Sequence, residues 1–180
     1  MKELKPNIAA EPQQKTSLPT EGCSFGLLIM RSWNPKPLGH VSQCGSYEYP
    51  IMPDIVEGSN FPRILGGDMS LVPNIIEAAK RLQDLGCKCI TSSCGYFGRF
   101  QRHVADALDV PVYISSVCQI PWVLSGIGAD RKIIVLCYDD TLLIHPILEV
   151  CGLSEKDISR CIIKGLCTEP NFSLFRICQG

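Results

Sequence analysis

Short apolar runs alternating with helix-patterned stretches restrict the fold of this chain more than any other feature it has. Phe25–Met30 (FGLLIM), Cys87–Thr91, Val112–Ser115, Lys132–Tyr138 (KIIVLCY) and Cys161–Lys164 are each bounded by turn residues. Continuous apolar runs of that length mark strands buried on both faces, as in parallel sheets. A further run, Ile51–Val56, contains Pro53. Proline cannot donate to a ladder, so this strand belongs at a sheet edge. Between the strands, a helix is expected over 71–85, capped by Ser70 or Asp68, with Pro73 in its first turn and Gly86 as its stop. Others are expected from Cys94 to about Leu108, over Ile120–Leu124, over Leu142–Val150 before Gly152, and from the S-x-x-D start at Ser154. Such alternation predicts an α/β fold: a flavodoxin- or Rossmann-like parallel sheet with helices on both faces, in strand order 2-1-3-4.

Gly126–Arg131 reads as a hinge, after which the pattern starts afresh with only two strands. Residues 22–126 are therefore expected to form an N-terminal α/β domain and 127–180 an incomplete second α/β unit. Residues 1–21 are polar, contain Pro6, Pro12 and Pro19, and read as a flexible arm. The second unit must lean on the first or on another chain, which leaves a homo-oligomer open.

Composition narrows the function classes. The chain is 46% hydrophobic and 19% charged with a net charge of −1. It carries no basic footprint for nucleic acid or an anionic membrane surface. No apolar run approaches the roughly 20 residues needed to span a bilayer, and Lys2, Glu3 and Lys5 do not open a signal peptide. A cytoplasmic location is the expectation. The 11 cysteines are odd in number and scattered through apolar runs. They read as reduced thiols rather than a disulfide framework.

The chemistry is expected around Cys94. The segment Cys87–Gln101 (CKCITSSCGYFGRFQ) runs from strand into helix with Cys94 at the break. Backbone N–H groups and the positive end of a helix dipole meet there, which lowers a thiol pKa from about 8.5 to roughly 3.5–7.5. Ligands of doubly wound sheets bind beyond the C-terminal strand ends, where strand order reverses. Arg31, Ser32, Ser92, Ser93, Gly95, Ser115 and Ser116 should share that rim and suit a small carboxylate beside a basic sulfur. Cys94 as one more cysteine of a cysteine-rich chain is the competing reading. Cys87, Cys89 and Cys94 suggest a metal, but alternate strand residues face opposite ways and no second ligand pair is evident, so no metal is expected. His40 and His103 read as solvated, His145 as a local hydrogen-bonding residue, and Trp33 as a cleft wall or a packing anchor. There is no P-loop or G-x-G-x-x-G, and no lysine stands at a strand end for a pyridoxal Schiff base.

The block ITSSCGYFGRFQ with VPVYISSVCQIP resembles the aspartate/glutamate racemase superfamily, in its less characterised branch. The likeness runs from Gly22 to Phe172 through GLLIMRSWNPKPLGHV, VEGSNFPRI, IIVLCYDDTLLIHPILEVCGL and GLCTEPNF. It implies a cofactor-independent racemase or isomerase acting at Cα of a small amino or dicarboxylic acid. Two cysteines face each other across a cleft between two α/β domains, one removing the proton and one returning it. Cys94 matches the first. Ser92, Ser93, Gly95 and Tyr96 match donors to the substrate carboxylate, and Thr141 stands with them as a candidate contact. Cys167, in LCTEP, resembles the second cysteine block locally but lies too early in the chain. The resemblance therefore implies a C-terminally shortened member, with binding of a carboxylate without turnover as the alternative.

Overall fold

The computed structural model describes residues 25–172, apart from 34, 143, 144 and 171 and the side chain of His145. The expected N-terminal arm lies outside the described residues. Four parallel strands form the larger sheet: β1 (Phe25–Ile29), β2 (Ile51–Ile55), β3 (Cys89–Ser92) and β4 (Val112–Tyr113), in the order β2-β1-β3-β4. That is the 2-1-3-4 order expected. Pro53 sits in the edge strand β2, level with Leu27 of β1, where its missing donor costs no second ladder. A smaller parallel pair, β5 (Ile133–Cys137) and β6 (Cys161–Gly165), makes the second sheet.

Helix α1 (Phe61–Gly66) was not expected from the pattern, although its signals are present. The Asn60 side chain accepts from the Arg63 N–H at 3.0 Å, Pro62 occupies the first turn, and Gly67 closes the helix at φ +68°. Helix α2 (Val72–Asp84) lies within the predicted 71–85 and buries Ile75, Ala78, Ala79 and Leu82. Its capping differs: the Asp68 carboxylate takes the Ser70 N–H and starts a 3-10 turn, Met69–Leu71, that leads into α2. α2 lies so close to β1 that a Cβ at Gly26 would stand 2.8 Å from Ile90 Cδ1 and 3.0 Å from Leu82 Cβ. Only glycine permits that approach.

The expected helix from Cys94 to Leu108 is instead a 3-10 segment, Gly95–Phe100, followed by α3 (Gln101–Ala105). Crowding at Gly98 accompanies the tighter winding. A Cβ there would lie 2.8 Å from Ile147 Cγ2 and 2.9 Å from Ser115 Cβ. After β4, a 3-10 turn (Ser116–Gln119) leads into α4 (Ile120–Ser125). Helices α5 (His145–Val150) and α6 (Glu155–Ile158) connect β5 to β6, and α6 starts with a complete Ser154/Asp157 capping box.

The core is continuous across both sheets. Ile147, Leu148 and Leu153 of the second unit are buried with Phe97, Phe100, Ile114 and Val117 of the first. Ile134 and Ile162, alternate to the half-buried Ile133, Val135 and Ile163, remain exposed on the small sheet. Among the described residues, no helix is long and apolar enough to cross a membrane.

Candidate active site

β3 delivers Cys94 to the junction between the two sheets. Ser93 N–H donates to the Leu28 carbonyl at 2.9 Å, and the Ser92 hydroxyl donates to the Ile114 carbonyl at 2.7 Å. These bonds fix the strand end against both neighbours. Cys94 then takes an extended conformation (φ −140°, ψ 124°) ahead of the 3-10 segment without a side-chain capping hydrogen bond, and the Tyr96 N–H lies near enough to its sulfur to favour the thiolate.

The thiol opens onto a cavity of about 480 Å³ between the sheets. Cys94, Gly95, Tyr96, Ser116 and Val117 line it from the larger sheet, with Phe61 from α1. Val135, Leu136, Cys137, Tyr138, Leu166 and Phe172 line it from the second unit. Phe61 and Tyr138 meet edge to face, with ring centroids 5.1 Å apart at 83°. Among the described residues, no Lys, Arg, Asp or Glu lines this cavity.

Two long-range contacts hold the walls together. The Tyr96 hydroxyl donates to the Asp139 carbonyl and accepts from the Asp139 N–H, both at 2.9 Å. Arg99 Nη2 donates to the Leu142 carbonyl at 2.8 Å. Tyr96→Phe would leave the Asp139 N–H unpaired at the cavity wall and the Asp139 carbonyl with the Leu142 N–H alone. A loss of about 1–3 kcal/mol in unfolding free energy is expected, measured by denaturant midpoint at unchanged slope. A change below about 0.5 kcal/mol would mean that solvent replaces the hydroxyl there.

The electrostatics of Cys94 differ from the expectation. Burial pushes the thiol up, and the single Tyr96 amide offsets this only in part. A short 3-10 segment presents few aligned amides, so desolvation outweighs them. Burial also raises the Tyr96 phenol and the Cys137 thiol. The Tyr96 hydrogen bond draws Cys137 back down somewhat, while Asp140, Asp139 and Cys167 push it up.

Of the residues singled out from sequence, Cys94, Gly95, Tyr96 and Ser116 meet in this cavity. Ser92 and Ser115 line a separate, more polar cavity of about 560 Å³ that shares Ser116 with the first. Arg31 lines neither. Its amide donates to Ser59 Oγ at 3.1 Å and its guanidinium faces the exposed Glu57 at 3.4 Å. Ser32 offers its carbonyl to Lys36, and the hydroxyl of Thr141 binds Asp139 Oδ1 at 2.6 Å in an exposed turn. Ser93 serves through its backbone. The Cys167 amide donates to the Tyr138 carbonyl at 2.8 Å, and Cys167 lies near Cys137 but does not line the cavity. Trp33 is 87% exposed and neither walls the cleft nor anchors the core. His40 Nδ1 accepts from the Ser42 N–H within its own loop, and His103 is exposed on α3. Among the described residues, no group of three His, Cys, Asp or Glu comes together as a metal site.

Sequence reasoning missed Phe61, Cys137, Tyr138 and Phe172. The strand-end rule that selected Cys94 applies equally to Cys137-Tyr138 at the end of β5 and would have found that pair, though not Phe61 or Phe172.

In fold, the chain is similar to a glycine-to-cysteine mutant of arylmalonate decarboxylase in a sulfate-associated form. The TM-score is 0.50 at 13% identity, over 85% of this chain and 66% of that one. Its sequence relatives are more specific. It is 31% identical over 175 residues to dimethylsulfoniopropionate lyase 7 of Emiliania huxleyi, covering 94% of this chain and 50% of that protein. It is 32% identical over 133 residues to a dimethylsulfoniopropionate lyase of Durusdinium sp. clade D, covering 70% of this chain and 44% of that one. The chain thus spans half or less of the length of these curated relatives. No family model matches it.

Proposed function

We propose that the Cys94 cavity performs proton abstraction next to a carboxylate, with β-elimination from a sulfonium substrate as its reaction. The Cys94 thiolate takes a proton from Cα. The electrons of that C–H bond become the Cα=Cβ bond, and the Cβ–S bond breaks with its pair leaving on sulfur. From dimethylsulfoniopropionate the products are acrylate, neutral dimethyl sulfide and the proton held by Cys94. A sulfonium departs as an uncharged sulfide, so the step asks for a base and an anchor for the carboxylate. Gly95 and Ser116 lie beside Cys94 for that anchoring role.

The observation that carries this reading is the lining: a thiol shares the cavity with Phe61, Tyr96, Tyr138 and Phe172 and, among the described residues, with no charged side chain. Aromatic faces bind onium cations through their quadrupoles at about 0.5–2 kcal/mol each. The names of the sequence relatives support the same substrate class. The resemblance to the aspartate/glutamate racemases keeps a second reading open, and Cys137 on the opposite wall favours it: an isomerase in which Cys137, and not Cys167, returns the proton to a small amino or dicarboxylic acid.

The test is gas-chromatographic detection of dimethyl sulfide from dimethylsulfoniopropionate, beside deuterium wash-in at Cα of aspartate and glutamate. Sulfide release without amino-acid exchange is the expected result. Exchange with inversion would favour the isomerase, and neither would leave carboxylate binding alone. Because burial raises Cys94, the thiolate is the minor form at neutral pH. The elimination rate should climb about tenfold per pH unit and keep climbing past about 8.5, the ordinary thiol value. The same shift makes the folded state favour the protonated thiol, so its contribution to stability is full below the ordinary thiol value and is lost as pH rises above it. A rate plateau reached near neutrality would contradict the role given to Cys94.

A further inference from the structure

Two other thiols meet away from the Cys94 cavity. Cys118 lies in the 3-10 turn Ser116–Gln119 that follows β4, and Cys151 follows α5, which the second sheet contributes. The turn packs on α5, and the two thiols lie near enough for each to act on the other's protonation. Cys151 also points its thiol at the Gly98 carbonyl, 3.9 Å away, at the place where glycine lets the two halves close up. Both cysteines are free. One is also reachable: Cys118 lines the open cavity of about 560 Å³ with Ser115, Ser116, Gln119 and Trp122.

We propose that Cys118 and Cys151 form a site of reversible thiol oxidation, with Cys118 the attacking sulfur and Cys151 the resolving one, and a hydroperoxide as the oxidant. The Cys118 sulfur forms an S–O bond as the peroxide O–O bond breaks, and hydroxide leaves to be protonated to water. The Cys151 sulfur then displaces the hydroxyl of the Cys118 sulfenic acid as a second water and closes the disulfide. The net change is two thiols and one hydrogen peroxide giving one disulfide and two waters.

The roles are unequal for a physical reason. The neighbouring Cys151 thiol and the Ser115 and Cys118 amides hold the Cys118 thiol below its usual range against the opposing effect of burial, while the Cys118 neighbour and burial hold the proton on Cys151. Thiolate character and access select the sulfur that reacts first. Cys94 has the opposite setting, raised by burial. The cross-link would join the turn bearing Ser116 and Val117, on one wall of the Cys94 cavity, to the helix that follows β5 on the other. It is independent of which substrate that cavity takes.

Treating the purified wild-type chain with substoichiometric hydrogen peroxide, trapping free thiols by alkylation and mapping peptides by mass spectrometry tests this directly. The first disulfide is expected to link the Cys118 and Cys151 peptides and to disappear with dithiothreitol. In Cys151→Ser, dimedone should label Cys118 on the order of tenfold faster than Cys94. In Cys118→Ser, Cys151 should stay unlabelled. A first disulfide between any other pair, or Cys118 labelling no faster than Cys94 in Cys151→Ser, would overturn the assignment. The wild-type map decides the pairing even if a variant does not fold.

Discussion

Dimethyl sulfide release by Cys94→Ser is expected to fall by about 10²- to 10⁴-fold, the usual contribution of a positioned base. The hydroxyl occupies a similar, slightly smaller volume beside the same Tyr96 amide, but it does not ionise in the accessible pH range. The alkaline rise in rate should vanish with it. Because nothing else in the cavity changes, the unfolding midpoint should move by less than about 1 kcal/mol. Substrate affinity, measured by calorimetry with dimethylsulfoniopropionate, should survive, since the aromatic wall of Phe61, Tyr96, Tyr138 and Phe172 is untouched. Serine retaining wild-type turnover would remove Cys94 from the chemistry and leave the cavity as a binding site.

The largest effect on stability is expected from Phe97→Ala. Phe97 is completely buried and meets Phe100 edge to face, ring centroids 6.4 Å apart at 67°. It belongs to the same six-residue 3-10 segment that Cys94 caps and Tyr96 opens toward the cavity. Truncation removes a large apolar surface and leaves a hole that a tightly wound segment cannot collapse to fill. The cost is about 3–5 kcal/mol, a large part of the roughly 5–15 kcal/mol of a typical domain. Thermal unfolding should shift down by roughly 6–20 °C. Phe97→Leu, which keeps most of the volume, should cost about 1.5 kcal/mol or less. Equal losses in the two variants would show that backbone winding, and not packing, anchors the segment.

Much of the architecture was legible because its signals are local. The apolar runs at Phe25, Cys89 and Ile133 announce strands by composition alone. Pro53 marks an edge by lacking a donor, and the Ser154/Asp157 pair marks a helix start by hydrogen bonding across three residues. Even α1 was within reach, since Asn60, Pro62 and Gly67 are its cap, first turn and stop. The helix expected after Cys94 was misjudged because the close contacts at Gly98 come from Ile147 and Ser115, both remote in sequence.

The site divides along the same line. The chain order of strand, break and turn determined by itself that Cys94 would stand at a strand end with the Tyr96 amide close by, since those relations span a few residues. Which residues face the sulfur depended on tertiary structure. Tyr96 reaches Asp139 across 43 residues, bringing Tyr138 and Cys137 to the opposite wall, while Arg31 and Thr141 turn to local partners. The thiol's charge state was decided there too, because desolvation depends on everything packed around a group, whereas the opposing Tyr96 amide is only two residues away.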